Sequence, residues 1–317
     1  MFDQQFIVDA ARRSGETKLD RRKLLTMAGI AGAGAATAML ATSAPAMAAP
    51  GDAPTGGPSD ASVLNFALNL EYLEAEFYLR AVTGSGLSDD LTTGAGTRGE
   101  VTGGRAVPFK TAGVRRVAEE IAADEKAHVA FLRGQLGVAA VSRPAISLDA
   151  SFTAAATAAG IIKPGQTFDP YANENNFLLA AFLFEDVGVT AYKGASPFIA
   201  NKTYLEAAAG ILAVEAYHAG AIRATLYAAG FAVPAVYTAA DALSNARDSL
   251  DGSTDLDQGV GSTSKSNIVP ADANSIAFSR SPGQVLNIVY LNPKSVTSGG
   301  FFPAGVNGEL NLSAASA

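Results

Sequence analysis

Apolar positions recur at helical spacing in four long stretches of the chain, at about 60–82, 108–136, 174–195 and 201–229. Residues that start or stop helices bound them. Ser59 or Asp60 can cap the first, Pro108 stands near the start of the second, Ser196-Pro197 closes the third, and Gly230 with Pro234 ends the fourth. A Gly/Thr-rich stretch (83–107) separates the first two. A long connection containing Pro144, Pro164 and Pro170 fills 137–173, with room for a short helix near 151–159, whereas only a few residues join the last two. Two helical hairpins joined by one long crossover predict an all-α fold, a four-helix bundle over residues 60–230. Beyond Pro234 the periodicity weakens. Residues 237–248 read as one more helix, 249–275 as a Ser/Asp/Gly-rich loop, and 281–290 as either a short helix or a strand. Residues 231–317 are therefore expected to form a mostly irregular extension packed on the bundle, with Phe301, Phe302 and Pro303 in an ordered tail.

The N-terminal end is patterned differently. Arg21, Arg22 and Lys23 precede an apolar Ala/Gly-rich run from Met27 to about Thr42, and Ala46-Met47-Ala48 supplies a small-x-small cleavage pattern. This reads as a twin-arginine export signal over 1–48, followed by a Pro/Gly-rich linker at 49–59. The run is interrupted by glycines and short for a bilayer span. Cleavage is therefore expected, with the mature protein periplasmic or extracellular and without a membrane span. Removal of residues 1–48 leaves 17 basic against 26 acidic residues, and the basic ones are scattered, so nucleic acid is not an expected partner. The chain has no cysteine. Disulfides, iron–sulfur centres and thiol catalysis are excluded, and any metal must be held by histidine and carboxylate.

Candidate chemistry concentrates on the four helices. The chain has two histidines, and each lies three residues after a glutamate: Glu125 with His128, and Glu215 with His218. At that spacing both side chains leave one helix face, so a carboxylate and an imidazole can reach one metal ion together. The other two helices each supply a glutamate followed seven residues later by a tyrosine: Glu71 with Tyr78, and Glu185 with Tyr192. Phe182, Leu183 and Phe184 surround Glu185 with apolar neighbours. Converging ionised carboxylates in a bundle core are very costly without a compensating cation. Two Glu-x-x-His pairs plus one Glu from each of two further helices make a dimetal carboxylate arrangement. Glu74, three residues after Glu71, faces roughly the same way and is a possible further ligand. Glu76 is rotated about 140° from Glu71 and is expected in solvent, as are Glu119, Glu120 and Asp124. Tyr78 and Tyr192 are placed to donate hydrogen bonds to ligand carboxylates or to act in electron relay, although packing is the commoner role of such aromatics. The Ala-rich faces of the second and fourth helices suggest close helix packing.

The run LNFALNLEYLEAEFYLRA, the paired Glu-x-x-His motifs and the two Glu…Tyr patterns resemble the ferritin-like superfamily over residues 60–230. The first run and the C-terminal extension are similar to exported ferritin-like and desiccation-related proteins. The resemblance implies that Glu71 and Glu185 are terminal ligands, that Glu125 and Glu215 bridge two ions, and that His128 and His218 each bind one. It also implies an internal two-fold repeat. Nitrogen and oxygen donors without sulfur favour iron, with manganese second. The expected function is an oxidase- or peroxidase-like reaction with dioxygen or peroxide, supplied by an unknown electron donor, in oxidative or desiccation stress. The alternative is a structural, stress-protective envelope protein in which metal mainly stabilises the bundle. A homo-oligomer is compatible with either, but the extension disfavours a storage cage.

Overall fold

A computed structural model describes residues 57–316; the segments expected to be an export signal and, up to residue 56, a linker lie outside the described residues. Four long helices make the bundle: α1 (Asp60–Thr83), α2 (Ala112–Leu136), α4 (Glu174–Ala195) and α5 (Lys202–Gly230). A short helix in the crossover, Asp149–Ala158, is α3. α1 pairs with α2 and α4 with α5, while α1–α4 and α2–α5 close the bundle. The fold is all-α, with the crossover between the two pairs.

Local chemistry sets the helix ends. Ser59 caps α1 by accepting from the Ser62 amide, Asn173 caps α4, and Asn201 caps α5. Gly84 ends α1 in the left-handed region at φ 80°, where its amide reaches the Arg80 carbonyl. The Asp60 carboxylate accepts from the Ala200 and Asn201 amides at 2.7 and 3.0 Å, which ties the start of α1 to the start of α5.

The helices divide into two kinds. α1 and α4 are buried on nearly every side, because the crossover and C-terminal segments cover the faces that the bundle leaves open. Such burial explains sequence that is apolar all round. α2 and α5 each keep a face in solvent, and their alanines are largely there: Ala127, Ala130, Ala209, Ala213 and Ala216 are exposed. Ala118, Ala122, Ala208 and Ala219 are buried, so the expectation of close packing holds for the inward alanines and not for these outward ones.

The C-terminal segment contributes α6 (Ala235–Asp251), α7 (Pro282–Val289) and a two-residue hairpin, β3 (Gly261–Ser262) with β4 (Lys265–Ser266). Two earlier segments, β1 (Val101–Thr102) and β2 (Ile146–Ser147), pair in parallel and join the first loop to the crossover. Residues 281–290 resolve as helix, because Pro282 occupies the first turn and Ser281 and Gln284 form a reciprocal capping box. Phe301 packs between Phe152 and Phe184 at ring separations of 5.0 and 4.9 Å. Among the described residues no helix is long and apolar enough to cross a membrane.

Candidate metal centre

Glu71, Glu125, Glu185 and Glu215 converge in the bundle interior, each with no solvent exposure, with His128 and His218 close to buried beside them. They form two overlapping sets. Glu71, Glu125, His128 and Glu215 make one; Glu125, Glu185, Glu215 and His218 make the other; within each set one ligand atom per residue lies within 4.8 Å of the rest. His128 Nδ1 is 3.2 Å from Glu71 Oε2, 3.6 Å from Glu125 Oε2 and 3.8 Å from Glu215 Oε1. His218 Nδ1 is 3.0 Å from Glu125 Oε1 and 3.6 Å from Glu185 Oε2. Two atoms each about 2.1 Å from one ion lie about 3.0 Å apart at a right angle and about 3.6 Å apart at 120°. The observed spacings are those of a coordination shell.

The donors also fit a cation by what they lack. Both oxygens of Glu125 and of Glu215, Glu185 Oε2 and His218 Nδ1 are buried without a hydrogen-bond partner. Natural interiors rarely tolerate this. Burial pushes Glu74, Glu125 and Glu215 well above the usual carboxylate range, and the neighbouring carboxylates push them further. Glu185 is raised to about 8, chiefly by burial and then by Asp186 and Glu71, against the hydrogen bond from Tyr78. Glu71 moves the other way: burial disfavours its charge, but the hydrogen bond and charge of His128, with the bond from Tyr192, outweigh it. His128 is raised in turn, burial being overcome by Glu71. Burial lowers His218 despite the Asp124 contact.

Both tyrosines touch the centre. Tyr78 donates to Glu185 Oε1 and Tyr192 to Glu71 Oε1, so each reaches the glutamate of the opposite helical hairpin. Burial and the adjacent carboxylates raise both phenols well above their ordinary value, which keeps them protonated donors. Glu74 is also buried at the centre, where burial and the charges of Glu185 and Glu71 raise it.

Three residues differ from expectation or were not anticipated. Glu76 is fully buried rather than in solvent; it accepts from Arg80 Nε at 2.9 Å, from Arg143 and from the Leu87 amide. Asp124 is half-exposed, and its Oδ2 lies 3.1 Å from His218 Nε2. Gly188 sits opposite the Glu215 carboxylate: a Cβ there would be 2.3 Å from Glu215 Oε2 and 3.4 Å from Glu74 Oε1. A glycine inside a buried helix signals a close approach, and Asp124 breaks the repeat because Val214 occupies the matching place before Glu215. Both signals were present in the sequence.

The model of the ferritin-like domain matches residues 59–228. The chain belongs to the ferritin-like family. Two relatives extend the match beyond the bundle. The desiccation-related protein PCC13-62 of Craterostigma plantagineum is 35% identical over 247 residues, 72% of this chain and 76% of its own length. The ferritin-like catalase Nec2 of Nesocodon mauritianus is 29% identical over 269 residues, 80% of this chain and 85% of its own. Within this ferritin-like protein, buried Glu/His clusters of metal-binding character thus occupy the bundle core.

Proposed function

We propose that this centre holds two redox-active ions, iron or manganese, and consumes hydrogen peroxide or dioxygen in protection against stress. The observation that carries the reading is the pair of overlapping ligand sets that share Glu125 and Glu215. Glu71 and His128 would complete one position, and Glu185 and His218 the other. Two divalent ions balance the charge of the four ligand glutamates. Such ions would supply redox chemistry, with electrons passed to the oxidant and regained from a second peroxide or another reductant.

The chain's own residues restrict what arrives. All four ligand carboxylates are shielded from bulk water. An apolar cavity of about 20 Å³, lined by Glu74 and Gly188 together with Leu70, Leu73 and Val187, adjoins them. That volume suits about one water-sized molecule, which favours peroxide or dioxygen over an organic substrate. Tyr78 and Tyr192 hold protons against Glu185 and Glu71, fixing those carboxylates. The relative named a ferritin-like catalase supports peroxide as the oxidant, so that two peroxides give one dioxygen and two waters. The relative named a desiccation-related protein supports the protective role. Export through the twin-arginine route would place this activity in the cell envelope.

Apo protein loaded anaerobically with Fe(II) or with Mn(II) is expected to release oxygen from peroxide, or to oxidise its Fe(II) when dioxygen is admitted. The double variant His128→Ala/His218→Ala is expected to do neither. A folded, loaded wild type that turns over no oxidant would overturn the reading. The second reading, metal as a structural counterion, is favoured by the unpartnered carboxylates; it predicts protection in cells from a loaded but redox-inert protein.

A further inference from the structure

The two Glu-x-x-His pairs are equivalent in sequence but not in what lies behind their imidazoles. His218 Nε2 lies 3.1 Å from Asp124 Oδ2. An ionised carboxylate only accepts, so this bond places the proton of neutral His218 on Nε2. The Nδ1 lone pair is left facing Glu125 Oε1 at 3.0 Å and Glu185 Oε2 at 3.6 Å. The ring is therefore already in the tautomer that a metal ion requires at Nδ1.

His128 has no such support. Val214 stands where the repeat would place its counterpart of Asp124, and among the described residues no hydrogen-bond partner faces His128 Nε2. Its Nδ1 instead lies 3.2 Å from Glu71 Oε2. One imidazole is held from behind by a carboxylate, and the other is not.

We propose that Asp124 is a positioning residue that makes the two metal positions unequal, so that the Glu185–His218 position fills first and more tightly and the Glu71–His128 position second. The proposal rests on the dimetal reading above. A carboxylate behind a ligating histidine typically changes metal affinity by about 10–100-fold.

The test is an anaerobic titration of the full-length apo protein with Mn(II), followed by calorimetry and by electron paramagnetic resonance. Two successive steps are expected. An uncoupled Mn(II) signal should grow to one equivalent and then give way to that of a coupled pair. Asp124→Ala should weaken the first step by about 10–100-fold and leave the second unchanged, so that the steps converge. Asp124→Asn, which keeps an oxygen acceptor, should restore part of the difference. His128→Ala should retain the tight ion and His218→Ala only the weak one, with circular dichroism of each apo variant confirming its helix content. Equal steps in the wild type, an equal loss at both steps in Asp124→Ala, or loss of the tight ion in His128→Ala would overturn the inequality while leaving the dimetal reading intact. Fewer than two ions bound by the wild type would overturn both.

Discussion

Glu185 and Asp186 are neighbours in α4, yet they belong to two different ways of burying charge. Asp186 accepts from Arg223 Nη1 at 2.7 Å and from Arg247 Nη2 at 3.0 Å. Arg247 and Arg280 hold Asp257 between them, and Arg280 also holds Asp251. The three arginines are almost wholly buried; Arg247 also donates to the Phe182 carbonyl, Arg223 to those of Gly259 and Asn267, and Arg280 to the Thr190 hydroxyl. Arg223 and Arg247 also lie over the Phe182 ring, at 5.3 and 4.6 Å. One step round the same helix, Glu185 meets Tyr78 and the carboxylates of Glu125 and Glu215, and among the described residues the ion pairs of the four ligand glutamates are with the two histidines. Burial of a carboxylate does not by itself point to a metal. Asp186 and Asp251 each leave one buried oxygen without a donor, but their other oxygen is paired with arginine, whereas Glu125 and Glu215 have neither a donor on either oxygen nor an arginine beside them. Asp248, Asp251 and Asp257 also converge, but arginine already occupies Asp251 and Asp257, so that cluster belongs to the first kind.

The largest effect should come from breaking the arginine network. Arg247→Met removes a cation from both Asp186 and Asp257 and is expected to cost about 3–5 kcal/mol in urea unfolding of the metal-loaded protein. A loss below about 1 kcal/mol would show that the two carboxylates do not depend on it.

Metal removal should have the next largest effect, and it carries a pH dependence. Glu185 ionises near 4.5 when unfolded and near 8 when folded without metal. Between those values the folded chain keeps a proton that the unfolded chain has released. The contribution of Glu185 to apo stability is therefore full below about pH 4.5 and is lost as pH rises through 8. Metal binding should flatten that fall, and each filled site should raise stability by about 3 kcal/mol at a hundredfold excess of ligand over its dissociation constant. Melting curves of apo and loaded protein at pH 5 and pH 8 test both statements.

Glutamine substitutions should then have opposite signs in the two regions. Glu125→Gln removes one of the crowded carboxylates and should stabilise the apo protein by about 1 kcal/mol at pH 8, while weakening metal binding. Glu76→Gln, whose carboxylate already has Arg80 and Arg143, should destabilise apo and loaded protein alike.

The smallest expected change in fold stability is that of Gly188→Ala. Helix propensity favours alanine by about 1 kcal/mol, and against this the new methyl meets Glu215 Oε2 at 2.3 Å. Weaker Mn(II) binding with little change in apo melting is the expected outcome; unchanged affinity would show that Glu215 can move aside freely.

Much of the bundle was legible because its signals are local. Asn173, Ser196 and Pro197 delimit α4 where the periodicity places it, and the six candidate ligands follow from spacing on single helices. The departures involve partners distant in sequence. α2 begins at Ala112 rather than at Pro108, and the Lys110 and Thr111 amides are taken by Glu174, more than sixty residues away. Glu76 was assigned to solvent by its angle from Glu71, which was right about the centre and wrong about the surface: Arg143 of the crossover covers that side. The α2 and α5 alanines were read as packed, but helical small-residue stripes do not reveal which of them a neighbour reaches. Asp124 was read as exposed, and half of it is; its contact with a histidine ninety-four residues later could not be read from its own helix.

The crossed tyrosines carry a consequence for how the two halves depend on one another. Tyr78 donates to a glutamate on the second hairpin, and Tyr192 to one on the first. Neither hairpin owns all the groups that hold its own ligands. Cut within the crossover, the chain would give two fragments, each a helical hairpin with half a shell, and metal would be bound only by the reassembled pair. The connection between α2 and α4 is, in that sense, a tether between two complementary partners.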